Sequence, residues 1–403
     1  MENTEIWRNI NDLRNILLQE GRIHTLRQQC IDSDSSSVVN SVLKNAEHIC
    51  RENILRLIEE IFKGIMVSLS KDEPPCLVYN SRRNWQDVRF QEGYGLEMAP
   101  GNKPTVIRFN SVQSINKFAL TIKVLSLMHR LIQNNSYCTK RDLFYQDPQL
   151  FGSQAYVDGI VDNISCMLHV PRWHLRVMAT SKGCIAGDLQ FRDADASYID
   201  CSQTSNGILI PSHVTGITSL TSSAKVVLLV EKDATFQTLL DDNVCQKLAP
   251  CIIITGKGFP DMNTRLMVKK LWDTFHLPTL ALVDADPHGF EIMAVYKFGS
   301  RSLSFEAANL TVPAVRWLGV LPSDIDRLHI PRSALIPLTT ADKDKAQELL
   351  KRPYMSSQAT WKHEIDILLK LGMKAEIQCL SAISPSFLTD VYLLNKIQYG
   401  SWI

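Results

Sequence analysis

Apolar residues recur at helical spacing along the first part of the chain. The first stretch, which ends at a Ser- and Asp-rich break, carries them at Ile6, Ile10, Leu13 and Leu17. A second amphipathic stretch follows that break. Such stripes are typical of core packing, and they also suit docking to another subunit. The pattern predicts a helical N-terminal arm over residues 1–70, and the Pro- and Gly-rich residues 71–103 predict a linker or long loop.

Residues 104–183 show the pattern of a small helical domain with short strands. We expect a strand at 106–109, helices at 118–133, from 140, and at 155–168, and a strand of a wing at 175–180. Three helices followed by a hairpin are the pattern of a winged helix-turn-helix, a module that docks on DNA. Between residues 117 and 182 eight Lys and Arg stand against four Asp, which favours contact with phosphates.

Strands alternate with helices from residue 224 onward. The apolar runs 226–230, 252–255 and 280–283 are typical of buried strands, and helical patterns follow from about residues 233, 263 and 289. This alternation predicts an α/β unit with a parallel sheet over residues 224–403, preceded by a connecting hairpin region at 184–223. Two further helical stretches, 341–350 and 363–380, are expected to pack on that unit.

Acidic residues follow two of the buried strands directly. Glu231 comes after the run 226–230, and Asp284 and Asp286 come after the run 280–283. Parallel sheets bind ligands outside the carboxyl ends of their strands, so the three carboxylates are expected to converge there. Because close carboxylates repel one another, the cluster predicts a divalent cation. A second Asp-x-Asp at residues 193–195 has polar flanks and is interpreted as a solvated turn.

Composition limits the class of protein. The 403 residues with 45% hydrophobic content suit two or three domains, and the net charge of +1 neither demands nor excludes nucleic acid. Ten scattered cysteines contain no Cys-x-x-Cys pair, which argues against a zinc ribbon or a redox pair. No run is long and apolar enough for a membrane span, and the first residues do not form a signal peptide, so we expect a soluble intracellular protein.

The turn Gly256–Gly258 follows the middle strand of the α/β unit. It is expected to leave backbone N–H groups and the Lys257 ammonium near the carboxylates. It does not match a phosphate-binding P-loop, and no Gly-x-Gly-x-x-Gly follows any of the strands. The sequence therefore predicts no nucleotide-hydrolysis site in this chain.

Tyr145 is the candidate nucleophile. It lies one helical turn after Arg141, so both side chains face the same side of the predicted helix. A phenol with an ordinary pKa near 10 is a poor nucleophile unless a cation stabilises the phenolate or a base removes the proton. On spacing alone, a half-buried aromatic beside a surface charge is the favoured interpretation.

Longer motifs, which include Arg141 and Tyr145, resemble those of a known family. In chain order they are Lys140–Tyr145, Leu150–Gly152, Thr180–Gly183, Val230–Asp233, Thr255–Asp261, Thr264–Arg265 and Val283–Gly289. Together they resemble the A subunit of type IIB topoisomerases, the topoisomerase VI group. They are more closely similar to the eukaryotic descendants of that protein, which make meiotic double-strand breaks. The resemblance runs from about residue 104 to the C-terminus and is weaker over residues 1–100.

This resemblance implies a fold and a reaction. The fold is a CAP-like winged-helix domain followed by an α/β Toprim domain. The reaction is attack of Tyr145 on DNA to give a covalent 5′-phosphotyrosyl link, with Arg141 as the basic residue beside the tyrosine. Glu231, Asp284 and Asp286 match the acidic set that holds Mg²⁺, for which Mn²⁺ could substitute. Glu231 could bind metal or act as the general acid.

Some relatives carry two adjacent tyrosines where this chain has Phe144 and Tyr145, so a single hydroxyl is expected to be the nucleophile. Lys182, Lys257 and Phe259 are candidate DNA contacts, together with the basic residue beside the tyrosine. The alternative for Lys182 is an exposed loop charge, and for Phe259 a core aromatic.

The resemblance also implies partners. These are double-stranded DNA, a second copy of the chain at the cleavage step, and a homologue of the ATPase-like B-type subunit bound through residues 1–65. Each cleavage site is expected to combine the tyrosine of one protomer with the metal of the other. Nuclear, chromosomal localisation in meiotic cells is expected, with no membrane.

Three alternative functions remain open at this point. One is the A subunit of a topoisomerase that still passes strands. Another is a Toprim nuclease that uses metal-activated water and leaves no covalent link. The last is a DNA-binding scaffold whose catalytic residues are idle.

Overall fold

The computed structural model of the chain describes residues 51–82, 84–248 and 250–403. The predicted helical stretch over residues 5–30 and the polar break after it lie outside the described residues. The second part of the predicted arm contains helix α1 (Arg51–Ser70), which buries Ile54 and Ile58. In the described part of the chain, no helix is long and apolar enough to cross a membrane.

The prediction of a linker over residues 71–103 was wrong, because most of this segment forms strands. They are β1 (Cys76–Asn80), β2 (Val88–Gln91) and β3 (Gly95–Met98), followed by β4 (Pro104–Arg108). β1 pairs antiparallel with β4, and β2 with β3. The Pro and Gly residues mark the turns between these short strands. Tertiary packing stabilises the strands; for example, Phe90 makes an edge-to-face contact with Phe298, with 5.4 Å between the ring centroids.

A helical unit follows. Its elements are α2 (Ile115–Gln133), β5 (Cys138–Thr139), α3 (Lys140–Tyr145), α4 (Pro148–Phe151), α5 (Gln154–Leu168) and β6 (Val177–Met178). Helices α1, α2, α3 and α5 share one apolar core, to which Ile58, Met128, Leu143 and Ile160 contribute. Helices α2 and α5 begin and end within three residues of the predicted positions, and α3 begins at the predicted residue 140.

The strand that was predicted to belong to a wing is paired differently in the structure. β6 is only two residues long and pairs in parallel with β5, whereas a wing hairpin would pair it with the strand that follows. That next strand, β7 (Cys184–Gly187), pairs instead with β13 (Cys251–Thr255), in antiparallel orientation. Its four residues are all buried there, and this burial explains why it leaves the helical unit.

The segment between residues 184 and 223 contributes to two sheets. After β7 come β8 (Gln190–Arg192), β9 (Tyr198–Asp200), β10 (Ile208–Leu209) and β11 (Thr218–Thr221). β8, β9 and β11 form a three-stranded sheet, and the Asp-x-Asp at 193–195 lies in the turn between β8 and β9. This Asp-x-Asp is therefore a solvated turn, as its polar residues predict.

A six-stranded sheet forms the centre of the C-terminal unit. Its remaining strands are β12 (Val226–Val230), β14 (Thr279–Leu282) and β15 (Arg316–Gly319). The strand order is β10-β7-β13-β12-β14-β15, and β13, β12, β14 and β15 run parallel. Every residue of β12, β13 and β14 is buried, as expected for a parallel sheet covered on both faces. The predicted α/β unit with a parallel sheet is confirmed.

Helices and short elements surround this sheet. They are α6 (Asp233–Asp241), α7 (Val244–Lys247), α8 (Met262–Phe275), α9 (Pro287–Phe298), α10 (Ala307–Leu310), α11 (Pro322–Arg327), β16 (Ile336–Pro337), α12 (Thr340–Leu350), α13 (Ala359–Leu371), β17 (Met373–Lys374) and α14 (Leu393–Gln398). The predicted helix over residues 363–380 was too long. α13 ends at Leu371 because Gly372 adopts a left-handed φ of 64°, a common way to end a helix.

The segment after α13 reaches the carboxyl end of the sheet. Ala375 forms an isolated antiparallel bridge with Ala285, in which each N–H donates to the other residue's carbonyl. The chain then continues into a 3-10 helix that begins at Ile377. The fold thereby places residues 375–377 against the acidic residues that follow β14.

Candidate active site

Glu231 and Asp284 meet at the carboxyl ends of β12 and β14. The two strands are neighbours in the sheet, with Val230 paired to Leu282. The backbone N–H of Asp284 donates to Glu231 Oε2 at 2.8 Å. The residues are only 8% and 5% exposed, respectively. The predicted convergence of the strand ends is therefore present for these two carboxylates.

Asp286 caps a helix beside this pair of carboxylates. It is the N-cap of α9, and its Oδ1 accepts a 2.7 Å hydrogen bond from the Gly289 N–H. A carboxylate at this position is also favoured by the helix dipole. The residue is half-buried, so it is more accessible than the two strand-end carboxylates.

The electrostatics of the site disfavour negative charge. Burial raises the pKa of Glu231 to about 8, and the charges of Asp284 and Asp286 contribute to that shift. Burial also raises the pKa of Asp284, although the hydrogen bond from Lys232 opposes the rise. A bound cation would relieve this unfavourable charge, which is the physical reason to place one here.

Lys232 compensates part of the charge in the absence of a metal. Its Nζ lies 2.8 Å from Asp284 Oδ2 and 3.2 Å from Glu376 Oε2. The Ile377 N–H donates to Asp284 Oδ1 at 2.9 Å. Sequence reasoning missed all three residues. The position of Lys232 directly after Glu231 was a usable signal, whereas the approach of residues 376 and 377 depends on the tertiary fold.

The donor set fits a hard divalent cation that is completed by other ligands. Within the described residues, no group of three or more His, Cys, Asp and Glu side chains is arranged to hold a metal ion. Both oxygens of Asp284 already accept hydrogen bonds, one of them from a displaceable ammonium. Mg²⁺ usually binds one or two protein carboxylates and takes water and substrate phosphate as its other ligands. A closed protein cage is therefore not required.

The turn that follows β13 lies against the same strand ends. The Gly258 N–H donates to the Glu231 carbonyl at 2.8 Å, and Lys257 adopts a left-handed φ of 52°. Lys257 Nζ lies 3.2 Å from Asp233 Oδ2. Lys182 joins the turn, since its Nζ donates to the Lys257 carbonyl at 3.3 Å. Two of the predicted DNA contacts are thus brought together beside the carboxylates.

Phe259 is 42% exposed, so the alternative of a core aromatic does not hold. The Lys345 ammonium lies 5.9 Å from the centroid of its ring. An exposed aromatic next to a basic turn is available for contact with a ligand.

Asp261 fixes the loop of Lys182, a role that sequence reasoning missed. It is the N-cap of α8, with Oδ1 accepting from the Thr264 N–H at 2.9 Å. Its Oδ2 accepts from the backbone N–H groups of Lys182 and Gly183 at 3.0 and 3.1 Å. An Asp directly before a helical pattern was the signal for the cap.

Tyr145 ends helix α3 and is 68% exposed. Its ring lies 5.4 Å from that of Phe144, and Arg141 on the same helix is also exposed. Lys140 faces inward instead and pairs with Asp162 at 2.8 Å. In the part of the chain that the structure describes, no hydrogen bond or ion pair joins Tyr145 to the carboxylates. The tyrosine and the carboxylates are therefore two separate features of one protomer.

Comparison with known proteins agrees with this arrangement. The family model for the Toprim domain of Spo11 and of the topoisomerase 6 A subunit matches residues 226–397, and the model described as type IIB DNA topoisomerase matches residues 116–177. The chain is 51% identical to meiotic recombination protein SPO11 of Mus musculus over 87% of its length and 88% of the relative's, and equally to that of Homo sapiens. It is 40% identical to the DNA topoisomerase 6 A subunit of Arabidopsis thaliana over 75% of its length and 70% of the relative's.

The matched segments coincide with the two features described above, since one contains Tyr145 and the other contains Glu231, Asp284 and Asp286. The chain therefore belongs to the family of the meiotic recombination protein SPO11 and the topoisomerase VI A subunit.

Proposed function

We propose that this topoisomerase-like DNA-cleaving enzyme makes the double-strand breaks that begin meiotic recombination, with Tyr145 as its nucleophile. The observation that carries the proposal is the exposed phenol at the end of α3, beside an exposed guanidinium on the same helix. A nucleophile for a polymer as large as DNA has to be accessible in this way. The permanently charged Arg141 can stabilise both the phenolate and the phosphate that it attacks.

The reaction exchanges one phosphodiester for another. The Tyr145 phenol oxygen bonds to phosphorus as its proton leaves, the bond from phosphorus to the 3′ oxygen breaks, and that oxygen takes a proton. The 5′ end stays linked to the protein. Because one ester replaces another, cleavage needs no nucleotide energy. The absence of a P-loop from the sequence agrees with this.

The acidic residues serve the leaving group. Asp284 and Asp286 would hold the cation, Mg²⁺ or Mn²⁺, which when bound positions the scissile phosphate and stabilises charge on the departing 3′ oxygen. Burial raises the pKa of Glu231 to about 8, which favours its protonated form. It can therefore donate a proton to the 3′ oxygen as a general acid, and it becomes a metal ligand when it ionises.

A composite site, which the family resemblance implies, agrees with the lack of any described hydrogen bond between Tyr145 and the carboxylates of its own protomer. We infer that the tyrosine of one protomer acts at the carboxylates of a second copy, arranged on a two-fold axis. Two such sites cut the two strands of one duplex. The DNA contacts would come from basic and exposed aromatic residues that lie beside Tyr145 or the carboxylates, namely Lys182, Lys257, Phe259 and Arg141.

The remaining domains would provide docking. Residues 104–183 would act as a DNA-docking helical unit that lacks the expected wing hairpin. Residues 224–403 would form the Toprim domain, whose sheet also includes β7 and β10 from the region 184–223. A homologue of the ATPase-like B-type subunit would bind the N-terminal helical arm at residues 1–70, and a strand-passing activity would need that partner. Exposed Met66, Val67 and Leu69 on α1 support this placement. The names of the SPO11 relatives support a nuclear, chromosomal location.

Comparison of the wild-type chain with Tyr145→Phe tests the proposal. Both are incubated with plasmid DNA, Mg²⁺ or Mn²⁺ and the B-type partner, and the DNA ends are examined before and after protease treatment. We expect protein-linked 5′ ends for the wild type and none for the variant. Free ends formed equally by both proteins would favour a nuclease that uses water. Metal-independent DNA binding without cleavage would favour a scaffold.

A further inference from the structure

A pocket that none of the three carboxylates lines lies where α1, α2 and the loop around His213 approach one another. It has a volume of about 300 Å³, which is at the lower end of the range for small-ligand sites. Its charged and ionisable lining consists of Arg51, Arg176, His174 and His213, with Tyr137 beside them. No Asp or Glu is among its lining residues. We call this cavity the Arg–His pocket.

Among the described residues, the cations of the Arg–His pocket donate to neutral oxygens and form no ion pair with a carboxylate. Arg51 donates to a backbone carbonyl of α2, and Arg176 donates to an amide oxygen at 2.6 Å. Lys270 approaches from α8 and donates to two backbone carbonyls at 3.1 and 3.5 Å. Neither arginine nor this lysine forms an ion pair among the described residues. The charge of Asp193 acts on His213. The surplus of positive charge is suited to an anion.

The pKa values of the two imidazoles agree with this surplus of positive charge. Burial lowers the pKa of His174, and the neighbouring His213 lowers it further. Burial also lowers the pKa of His213, and Arg176 and Lys270 add to that effect while Asp193 opposes it. Both rings are therefore neutral at pH 7 without a ligand. A bound anion would offset the positive charge around the rings and raise both pKa values.

The backbone at Arg176 supports a functional role for its side chain. Arg176 has a left-handed φ of 63°, which is uncommon for a residue other than Gly, Asn or Asp. Its guanidinium lies 4.3 Å from the Tyr137 ring centroid. Its carbonyl accepts from the Cys138 N–H at 3.1 Å. The backbone bond and the ring contact hold the guanidinium at the cavity that it lines.

We propose that the Arg–His pocket binds a phosphate ester, whose oxygens accept hydrogen bonds from Arg51 and Arg176. Guanidinium groups match phosphate through parallel N–H donors, and each neighbouring imidazole offers one N–H donor when neutral and two when protonated. The same chemistry is offered by a free nucleotide and by a phosphodiester of DNA. The proposal does not depend on Tyr145 or on the carboxylates.

The test uses the full chain with ¹³C-labelled histidine, so that the His174 and His213 signals report on the pocket itself. The probes are inorganic phosphate, adenosine monophosphate and a short DNA duplex. The variants are Arg51→Gln and Arg176→Asn, since Asn tolerates a left-handed backbone. Arg56→Gln is the matched control, because Arg56 lies on the same helix as Arg51 and does not line the pocket.

We expect saturable shifts of both imidazole signals, with the apparent affinity falling about tenfold or more in either pocket variant and unchanged in the control. Tighter binding of the mononucleotide than of phosphate identifies a free nucleotide as the source, and a response to the duplex alone identifies backbone phosphate. The proposal is overturned if no probe shifts the signals, or if both pocket variants bind as the wild type does. Circular dichroism checks the fold, and the exposed Arg51 position carries the test should Arg176→Asn unfold.

Discussion

The backbone N–H of Asp284 donates a 2.8 Å hydrogen bond to the Glu231 side chain, which ties together the ends of two neighbouring strands. This bond holds a buried carboxylate whose pKa lies near 8 beside a second one. Such a pair of carboxylates can bind either a proton or a cation.

Asp286→Asn should remove the response to magnesium without removing the helix cap. Asn is as good an N-cap as Asp, so the hydrogen bond from Gly289 is expected to persist. The loss of one negative charge should abolish most of the increase in melting temperature that Mg²⁺ gives the wild type. Asp195→Asn is the matched control, because Asp195 lies in the exposed turn between β8 and β9. Differential scanning calorimetry with and without Mg²⁺ measures both, and an unchanged response in Asp286→Asn would contradict the metal assignment.

Gly289→Ala should disturb the acidic site through the backbone. A Cβ at this position would lie 2.5 Å from the Asp284 carbonyl oxygen and 3.0 Å from Glu231 Oε2. We expect a loss of about 1–3 kcal/mol in the free energy of unfolding, as for overpacking of a core, together with weaker binding of the cation.

Gly159→Ala is the control for that substitution. A Cβ there meets nothing within 4 Å, and the residue lies inside α5. We expect a gain of about 0.5–1 kcal/mol from the better helix propensity of Ala. Chemical denaturation measures both variants. Equal stability of Gly289→Ala and the wild type would show that the Asp284 backbone is not held as described.

Glu306 should make stability depend on pH. Burial raises its pKa from 4.5 to about 7, although Arg172, the Ser165 hydroxyl and Arg265 oppose the shift. The folded state therefore binds a proton that the unfolded state releases above pH 4.5. Stability is full below that pH and falls as the pH rises to about 7, by roughly 3 kcal/mol for this shift.

Glu306→Gln removes the ionisable group and should flatten this part of the profile. Denaturation at pH 5 and pH 8 compares the two proteins, and the wild type should lose more stability than the variant. If both lose the same amount, the decline arises elsewhere.

The position of the nucleophile along α3 can be tested by moving the hydroxyl. In the double variant Phe144→Tyr with Tyr145→Phe, the phenol moves one residue along the helix, which turns it by about 100°. Phe144 is half-buried against the helical core, whereas Tyr145 is exposed. We expect no protein-linked DNA from the double variant, and wild-type behaviour from Phe144→Tyr alone, as measured by gel analysis of covalent complexes. Full activity of the double variant would show that position 145 is not required.

The sequence predicted the sheet and its carboxylates because both depend on local pattern. The runs at β12, β13 and β14 are apolar throughout, and parallel strands end at one edge, so Glu231 and Asp284 had to meet there. The caps of α3 and α9 were not predicted, although they too are local, since Thr139 and Asp286 accept from N–H groups within three residues.

The rest depends on contacts between distant parts of the chain. Strands β1 to β3 are short and interrupted by Pro and Gly, so only their packing, such as Phe90 on Phe298, distinguishes them from a loop. Lys232 is adjacent to Glu231 in sequence, yet its role depends on Glu376, which the bridge between Ala285 and Ala375 brings near. The relation of Tyr145 to a second protomer is set by assembly and stays a prediction.

The most direct test of the central claim is to map the amino acid that remains attached to cleaved DNA. The chain is incubated with duplex DNA, Mg²⁺ and its B-type partner, the covalent complex is digested with protease and nuclease, and the linked peptide is identified by mass spectrometry. We predict a nucleotide joined through its 5′ phosphate to Tyr145, in the peptide that contains Arg141 or begins directly after it. A nucleotide attached to another residue, or cleaved DNA with free 5′ ends and no linked peptide, would contradict the account.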